Sequence, residues 1–371
     1  MKTNIHIVCL DCPSPPDYGG AIDMFYKIKA LHEIGHQITL HYFDYRPNRN
    51  TKAIAAFCSA IYAYSRKSLV KSLPINLPFV VQSRINKQLI NRLNEDDNPI
   101  LLEGLHCSGI VPFLKKKERV VVRLHNDEAV YYRQLAGAEK SMLKRSYFLW
   151  ESRLLQRYQK SFNKSVALAC LSFADQQRFE KYYDYQQTVF IPAFLPWQEV
   201  TTRTGKGDYC LYHGNLTIAE NEKAAHWLLT AVFPSLMMPS VIAGKGISKK
   251  LNTLAKKLPN VRLVESPPTD ELDALIKDAH IHLLPSLNAT GVKIKLLHAL
   301  FNGRYCITNS AGVEGSGLTG AVLEKNTPEE WIAAVEQLME QDFSAEGIDR
   351  RKKMLSLYDN RLNALKLSAQ W

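Results

Sequence analysis

Two lysines, Lys293 and Lys295, lie where a polar loop gives way to a helical pattern. The loop contains Asn288, Thr290 and Gly291, which are residue types that favour turns and helix N-termini. The unsatisfied backbone N–H groups and the dipole at such a helix start attract anions. Two additional positive charges destabilise this end of a helix, so their presence indicates a ligand with concentrated negative charge, such as a diphosphate.

The segments on either side predict the elements that position this loop. Residues 279–284 form a short apolar run that indicates a buried strand, and Pro285 ends it. A helix is predicted from Val292 to Gly303, because apolar residues recur at helical spacing at Ile294, Leu297, Ala299 and Leu300. A strand therefore leads into a glycine-containing loop that opens a helix.

The stretch from Gly291 to Gly303 reads Gly-Val-Lys-Ile-Lys-Leu-Leu-His-Ala-Leu-Phe-Asn-Gly. It resembles the donor-site signature of family-four retaining glycosyltransferases of the GT-B fold (glycosyl transferases group 1). The resemblance covers most of the chain and is strongest from Tyr209 to Leu318. It implies two Rossmann-like doubly wound α/β domains facing across a cleft, a nucleotide-diphosphate sugar as donor, retention of the anomeric configuration, and no metal or other cofactor.

The resemblance also implies roles for residues of the second half. Lys293 and Lys295 are expected to bind the phosphates and to act in catalysis. His298 is expected at the ribose, although family members usually carry a glutamate at its position. The loop before the lysines would lie against the sugar, and the loop after residues 261–264 would border the base. The remaining donor-side candidates are Gly214, Asn215, Glu265, Ser266, Pro267, Asn288, Ala289, Thr290 and Gly291.

The first half opens with a strand over residues 5–10, a loop with Gly19 and Gly20, a helix and a second strand. This order is typical of a doubly wound sheet. The glycine pair either only makes a turn or lets a ligand approach the backbone closely. It is not a GxGxxG dinucleotide fingerprint. The resemblance places it near the donor phosphates and the acceptor.

Two histidines follow predicted strands of the first half. His106 comes after residues 99–105, and His125 comes after residues 118–124. Both should point toward the edge of the sheet where ligands bind in open α/β folds. For His106 an ordinary loop or core residue is the favoured interpretation, and a substrate contact is the alternative. The sequence from Arg123 to Tyr132 resembles the family's mid-domain motif, whose histidine lies beside the transferred sugar, so we expect a catalytic role for His125.

Strands and helices alternate in two successive series, which predicts two domains. We expect an acceptor domain over residues 1–195, a donor domain over residues 196–349 and a final helix over residues 350–371. Residues 193–208 have no periodicity and are interpreted as the linker. In GT-B proteins the last helix typically crosses back to the first domain, and the same is expected here.

Composition limits the partners. The 371 residues carry a formal net charge of +11, which favours an anionic partner. Nucleic acid is not expected, since no zinc-finger, homeodomain or basic-zipper pattern occurs. Scattered cysteines and the lack of a long apolar run predict a cytoplasmic protein, with peripheral attachment to the inner membrane face as an option.

The basic, aromatic-rich helix over residues 139–164 fits a membrane-surface helix or, as the favoured interpretation, a core-facing helix with a solvated basic face.

The function that follows is a retaining, metal-independent hexosyltransferase. It would move a sugar to a glycan or lipid-linked glycan in the synthesis of cell-surface polysaccharide or glycoconjugate. Two alternatives remain open. One is a sugar-nucleotide epimerase of GT-B architecture, and the other is a non-catalytic nucleotide-sugar-binding subunit, because His298 stands where the ribose glutamate is usual.

Overall fold

The computed structural model describes residues 3–68, 76–288 and 290–371. The chain forms two compact units. Unit 1 comprises residues 1–196 together with residues 358–371, and unit 2 comprises residues 197–357. The last residues of the chain therefore belong to the same unit as the first.

In the described part of unit 1, seven strands form one sheet in the order β3-β2-β1-β4-β5-β6-β7, and every pairing is parallel. The central strands are short apolar runs, as expected where helices cover both faces of a parallel sheet. The strands are Asn4–Cys9 (β1), Gln37–Asp44 (β2), Ala60–Ser65 (β3), Ile100–Glu103 (β4), Val120–Leu124 (β5), Ala167–Cys170 (β6) and Thr188–Phe190 (β7). The helices before residue 197 are Gly19–Glu33 (α1), Phe79–Gln82 (α2), Lys87–Leu93 (α3), Glu128–Ala138 (α4), Met142–Ser161 (α5) and Phe173–Tyr183 (α6).

Unit 2 repeats this plan with six described strands, in the order β10-β9-β8-β11-β12-β13 and again all parallel. The predicted class of two doubly wound parallel sheets is confirmed. The strands are Cys210–His213 (β8), Ser240–Gly244 (β9), Val261–Glu265 (β10), Ile281–Leu283 (β11), Tyr305–Thr308 (β12) and Leu323–Glu324 (β13). The helices are Ala219–Trp227 (α7), Lys249–Ala255 (α8), Thr269–Asp278 (α9), Ile294–Asn302 (α10), Ser310–Val313 (α11), Pro328–Met339 (α12) and Ala345–Leu355 (α13).

Each sheet changes winding direction once, and this point positions the candidate sites. In unit 1 the change lies between β1 and β4, and in unit 2 it lies between β8 and β11. The loops that leave these adjacent strands run in opposite directions and open a crevice at the carboxyl ends of the strands, where open α/β sheets bind ligands.

The end of the chain differs from the single helix predicted over residues 350–371. Helix α13 stops at Leu355, and a last helix, α14 (Asn360–Ser368), begins anew with Asp359 as its N-cap. Helix α14 packs on α1. Asn360 exchanges two hydrogen bonds with the backbone of Leu195, at 2.8 and 3.0 Å, so the last helix is fixed within unit 1.

Residues 139–164, for which two interpretations were open, contain the helix α5. Its buried residues include Glu151, Ser152 and Leu155, so one side of the helix does face the core of unit 1. Its first turn is fully exposed. In the described ranges, no helix combines the length and the apolar character that crossing a bilayer requires.

Gly244 at the end of β9 provides a test of how tightly the crevice of unit 2 is built. A Cβ at this position would lie 1.8 Å from the carbonyl oxygen of Gly214 on the neighbouring strand end, and φ is +156°. We predict that Gly244→Ala lowers the free energy of unfolding by roughly 2–4 kcal/mol, because backbone rather than a flexible side chain must move. Urea denaturation measures this directly.

The matched control is Gly137→Ala in α4, where a Cβ would meet no atom within 4 Å. Alanine favours a helix over glycine, so this variant should be as stable as the native protein or more so by up to about 1 kcal/mol. Equal unfolding midpoints for the two variants would show that Gly244 is not tightly packed against Gly214.

Candidate functional site

Lys295 lies at the crevice of unit 2, where β8 and β11 diverge. It is the second residue of α10, whose N-cap is Lys293. Its Nζ atom donates to Asn221 Oδ1 at 3.0 Å and to Tyr212 Oη at 3.3 Å, and it stands 4.9 Å from the centre of the Tyr212 ring. Tyr212 belongs to β8 and Asn221 to α7, so three elements fix the position of this ammonium group.

In the part of the chain that the structure describes, the charge of Lys295 is not paired at contact distance, and the nearby carboxylate of Glu220 favours the charged form only from beyond ion-pair distance. Within the described residues it forms no ion pair, and both of its hydrogen-bond partners are neutral. Burial, and after it the nearby charge of Lys293, lowers the pKa of Lys295 to about 8. An ammonium group held at a helix N-terminus without a carboxylate in contact is suited to bind an anion, because the anion would stabilise the charged form that burial disfavours.

The loop before α10 is held by its own hydrogen bonds. Lys293 Nζ donates to the carbonyl oxygens of Thr290 and Gly291. Asn288 Oδ1 accepts from the backbone N–H and from the hydroxyl of Thr290, both at 2.8 Å. Gly291 has φ +66°, a conformation that favours glycine. Ala289, a predicted sugar contact, lies outside the described residues. Lys293 thus shapes the loop, whereas Lys295 presents its charge beside it.

His298 is already in contact on two sides. Its Nε2 atom lies 2.9 Å from Asp273 Oδ1, and its ring stacks on Trp197 at 4.1 Å with an interplanar angle of 19°. The hydrogen bond with His298 lowers the pKa of Asp273, so the carboxylate is ionised. The side chain of Asp273 is 39% exposed against 11% for His298. The more accessible polar group at this point is therefore the aspartate.

Gly214 and Asn215 lie beside Lys295, as the shared partner Asn221 makes clear. A Cβ on Gly214 would be 3.6 Å from the amide group of Asn221. The carbonyl oxygen of Asn215 accepts from Asn221 Nδ2 at 2.9 Å. The structure therefore brings Gly214, Asn215 and Lys295 together around one side chain.

The residues predicted to border the base form a separate group at the ends of β9 and β10. Glu265 accepts from the backbone N–H groups of Gly246 and Ile247, at 2.9 and 2.8 Å, and these bonds lower its pKa. Ser266 donates to Glu265 and has φ +48°. Pro267 is half-buried between β10 and α9. These residues join two strand ends and leave the carboxylate of Glu265 already hydrogen-bonded.

In unit 1, His125 and the glycine pair lie close together. Gly19 begins α1, and a Cβ on Gly20 would be 3.8 Å from His125 Nδ1. On the other side of the ring, Nε2 lies 2.9 Å from Glu103 Oε2. Burial raises the pKa of Glu103, but the ammonium of Lys27 and the hydrogen bond from His125 outweigh it and hold this pKa below its ordinary value. An ionised Glu103 can only accept, so Nε2 of His125 donates to it, and Nδ1 faces Gly20.

A buried network of charges supports this pair. Lys27 Nζ lies 2.7 Å from Asp23 and 2.9 Å from Glu103, and Arg123 lies 3.1 Å from Asp23. Each of the four side chains is at most 3% exposed. Asp23, Glu103 and His125 also bring three possible metal ligands within 4.8 Å of one another. The two carboxylates are already balanced by Lys27 and Arg123, so the group is accounted for by its own charges.

His106 lies in a 3-10 helix, Leu105–Phe113, and contacts a different acid. Its Nε2 atom is 3.7 Å from Glu128 Oε2, and both side chains are largely buried. Burial, followed by the charge of Arg84, lowers the pKa of His106, and burial with the neighbouring Asp127 raises the pKa of Glu128 to about 8. The two groups are therefore a neutral pair at pH 7, separate from the pair formed by His125 and Glu103.

Several residues of these sites were not predicted from the sequence. Asp23 and Lys27 carried a usable signal, since charged residues four apart interrupt the otherwise apolar face of α1. Asp273 and Trp197 carried none, because each reaches His298 only through the folding of distant segments. Tyr212 and Asn221 are likewise ordinary in the sequence and meet Lys295 only in three dimensions.

Most of unit 2 is similar to a known protein family. Residues 207–341, which include β8 to α12, match the family described as glycosyl transferases group 1. A protein of Klebsiella pneumoniae, described as an uncharacterized 44.6 kDa protein in the cps region, is 28% identical over 335 residues, which is 84% of each chain.

Solved structures resemble the chain over almost its full length. The sucrose-phosphate synthase from Thermosynechococcus elongatus has a TM-score of 0.72 at 13% identity, covering 99% of this chain and 98% of that one. WaaG, a glycosyltransferase involved in lipopolysaccharide biosynthesis, has a TM-score of 0.63 at 15% identity, covering 98% of each chain. These likenesses establish the fold. Residues 207–341 are therefore similar to the glycosyl transferases group 1, and the two parallel-sheet domains of the chain have the GT-B fold of these solved structures.

Proposed function

We propose that this protein transfers a hexosyl group from a nucleotide-diphosphate sugar to a glycan or lipid-linked glycan, with retention of the anomeric configuration. The observation that carries the proposal is the ammonium of Lys295, which stands at the N-terminus of α10 with neutral hydrogen-bond partners and no carboxylate in contact among the described residues. A relative in a cps region and a structural neighbour involved in lipopolysaccharide biosynthesis support a product among cell-surface polysaccharides or glycoconjugates. In this proposal, unit 2 binds the donor and unit 1 the acceptor.

The chemical requirement is to stabilise a departing diphosphate. The bond between the anomeric carbon and the phosphate oxygen breaks, and its electron pair leaves on the diphosphate. The acceptor hydroxyl oxygen bonds to the same carbon on the same face, and its proton passes to an oxygen of the departing diphosphate. Lys295 and the first N–H groups of α10 are positioned to stabilise the negative charge that develops, which is the largest contribution that a preorganised site can make. Lys293 would contribute by fixing the loop against the sugar.

His125 is proposed to position the sugar. With Nε2 donating to Glu103, its Nδ1 atom faces Gly20 and can accept from a sugar hydroxyl. The absence of a side chain at Gly20 leaves the room for that contact. The buried ion pairs around Glu103 keep this tautomer in place, so the histidine would act as an oriented acceptor rather than as a mobile base.

For the ribose, we propose that Asp273 supplies the carboxylate that the family usually takes from a glutamate at the position of His298. Asp273 is ionised and partly exposed, and His298 holds it through one of its two oxygens. The other oxygen can accept from the ribose hydroxyls. His298 would then be a positioning residue for Asp273.

Charge supports an acidic partner for unit 1. Unit 1 contains 29 Lys and Arg against 18 Asp and Glu, whereas unit 2 contains 18 of each. The whole net charge of +11 therefore belongs to the unit proposed to bind the acceptor. A lipid-linked or acidic glycan at an anionic inner membrane face, with the protein attached peripherally, would match this distribution.

The function is tested by incubating the protein with a panel of nucleotide sugars, with and without extracts containing lipid-linked glycans. We expect one nucleotide sugar to release its nucleoside diphosphate when acceptor is present, with the product anomer matching that of the donor by NMR. Isomerisation of the donor sugar would identify an epimerase instead, and binding without turnover would identify a non-catalytic subunit.

Lys295→Met should weaken binding of that nucleoside diphosphate by about tenfold or more, because it removes a charge-assisted contact. The matched control is Lys250→Met, since Lys250 is also the second residue of its helix, α8, but is exposed. Calorimetric titration of both variants measures the difference. Unchanged affinity in Lys295→Met would remove the phosphate assignment.

A separate prediction concerns the ribose. Asp273→Ala should weaken binding of the nucleoside diphosphate by roughly tenfold while leaving binding of inorganic pyrophosphate unchanged, because only the former has ribose hydroxyls. It should also abolish any preference over the 2′-deoxynucleotide.

Asp270→Ala, an exposed aspartate in the first turn of the same helix, serves as the control and should change neither affinity. Equal losses for the nucleotide and for pyrophosphate in Asp273→Ala would contradict the ribose role.

A further inference from the structure

The turn between α4 and α5 presents apolar side chains to solvent. Residues 140–146, here called the hairpin tip, are all exposed. Met142 is 83% and Leu143 is 86% exposed, although each is large and apolar. Two adjacent side chains of this kind on a helix start are unusual for a surface that contacts only water.

Aromatic residues continue the apolar surface along α5. Tyr147 and Trp150 follow Leu143 at intervals of four and three residues, so the three share one side of the helix. The rings of Tyr147 and Trp150 are 6.3 Å apart, and Trp150 is 38% exposed. Tyrosine and tryptophan rings are favoured where an apolar layer meets water.

The hairpin that carries this surface is held firmly. Tyr132 of α4 and Phe148 of α5 pack edge to face at 5.9 Å. Ser152 donates to the carbonyl oxygen of Ala129 at 2.7 Å, which joins the two helices again farther from the turn. The exposed residues therefore sit on a supported projection of unit 1.

Positive charge surrounds the apolar residues. Lys140, Lys144 and Arg145 belong to the hairpin tip, and Arg133 is exposed on α4. Within the described residues, none of these four forms an ion pair with a carboxylate. Glu139 is the acid at the turn, and its pKa is lowered by a hydrogen bond from the backbone of Ser141 and by the charge of Lys144.

We propose that the hairpin tip docks on an anionic membrane surface, with Met142 and Leu143 entering the headgroup layer and the basic side chains binding lipid phosphates. The positive charge of the hairpin tip favours an anionic membrane over a second copy of this chain, because two copies in contact at this tip would place like charges together. A basic helix end with a few large apolar residues is what a shallow, reversible membrane contact requires. Only the purpose of this membrane contact rests on the proposed function: the contact would bring unit 1 to a lipid-linked acceptor.

Vesicle sedimentation tests this with the full chain. We expect binding to vesicles that contain phosphatidylglycerol, little binding to phosphatidylcholine alone, and weakening as salt is added. The double variant Met142→Glu with Leu143→Glu should reduce partitioning by about tenfold or more, because it removes apolar contacts and adds like charge. The matched control is Met237→Glu, which alters an equally exposed methionine, 97% accessible, on the neutral unit 2.

Equal partitioning to the two vesicle types, or undiminished binding of the double variant, would overturn the proposal. Concentration-dependent dimers that vanish in the double variant, without vesicle binding by the native protein, would assign the tip to a second copy and overturn it as well. Nucleoside diphosphate affinity should be unchanged in the double variant, which keeps this test independent of the donor site. Native vesicle binding without any sugar transfer would leave this proposal standing and refute the proposed function.

Discussion

The ammonium of Lys295, which no carboxylate contacts among the described residues, is the interaction on which the proposed site of unit 2 depends. Lys295 is held by the neutral groups of Tyr212 and Asn221, next to a helix N-terminus and near a second lysine. Each of these neighbours either fails to neutralise the ammonium or disfavours it. A protein that needed only stability would place a carboxylate there, or an apolar side chain. This charge lies where β8 and β11 diverge, beside the loop that Lys293 holds through the carbonyl oxygens of Thr290 and Gly291.

In the charged cluster of unit 1, by contrast, every buried positive charge contacts a carboxylate. Lys27 and Arg123 are fully buried, but each contacts a carboxylate of Asp23 or Glu103, so the group is balanced. This cluster orients the ring of His125, because the ionised Glu103 accepts a hydrogen bond from Nε2 of that ring. The two units thus use the same residue types differently. Unit 2 leaves the ammonium of Lys295 without a carboxylate in contact among the described residues, whereas unit 1 uses paired charges to orient the ring of His125.

The sequence was sufficient for features that depend on neighbouring residues. The alternation of apolar runs and helical patterns predicted two parallel sheets, and the loop with Gly291 predicted the helix that starts near Lys293. Features that depend on distant contacts were not accessible. The edge strand Ala60–Ser65 buries only Tyr64, so its place in the sheet depends on its pairing with β2. The break after Leu355, in contrast, had a local signal, because Asp359 is a residue type that favours helix N-caps. The contact of His298 with Asp273 and Trp197 joins three separate segments. The roles of the site residues remain predictions until ligands are tested.

The most direct measurement is the pKa of Lys295 itself, followed by NMR of labelled lysine side chains with and without nucleoside diphosphate. The account predicts a value of about 8 in the free protein, because burial and Lys293 disfavour the charged form. Bound diphosphate should move it toward the ordinary lysine value of about 10.4. By linkage, affinity for the diphosphate should then fall as pH rises through about 8, since the protonated form binds best. An ordinary pKa in the free protein, or one that the diphosphate leaves unchanged, would contradict the central claim.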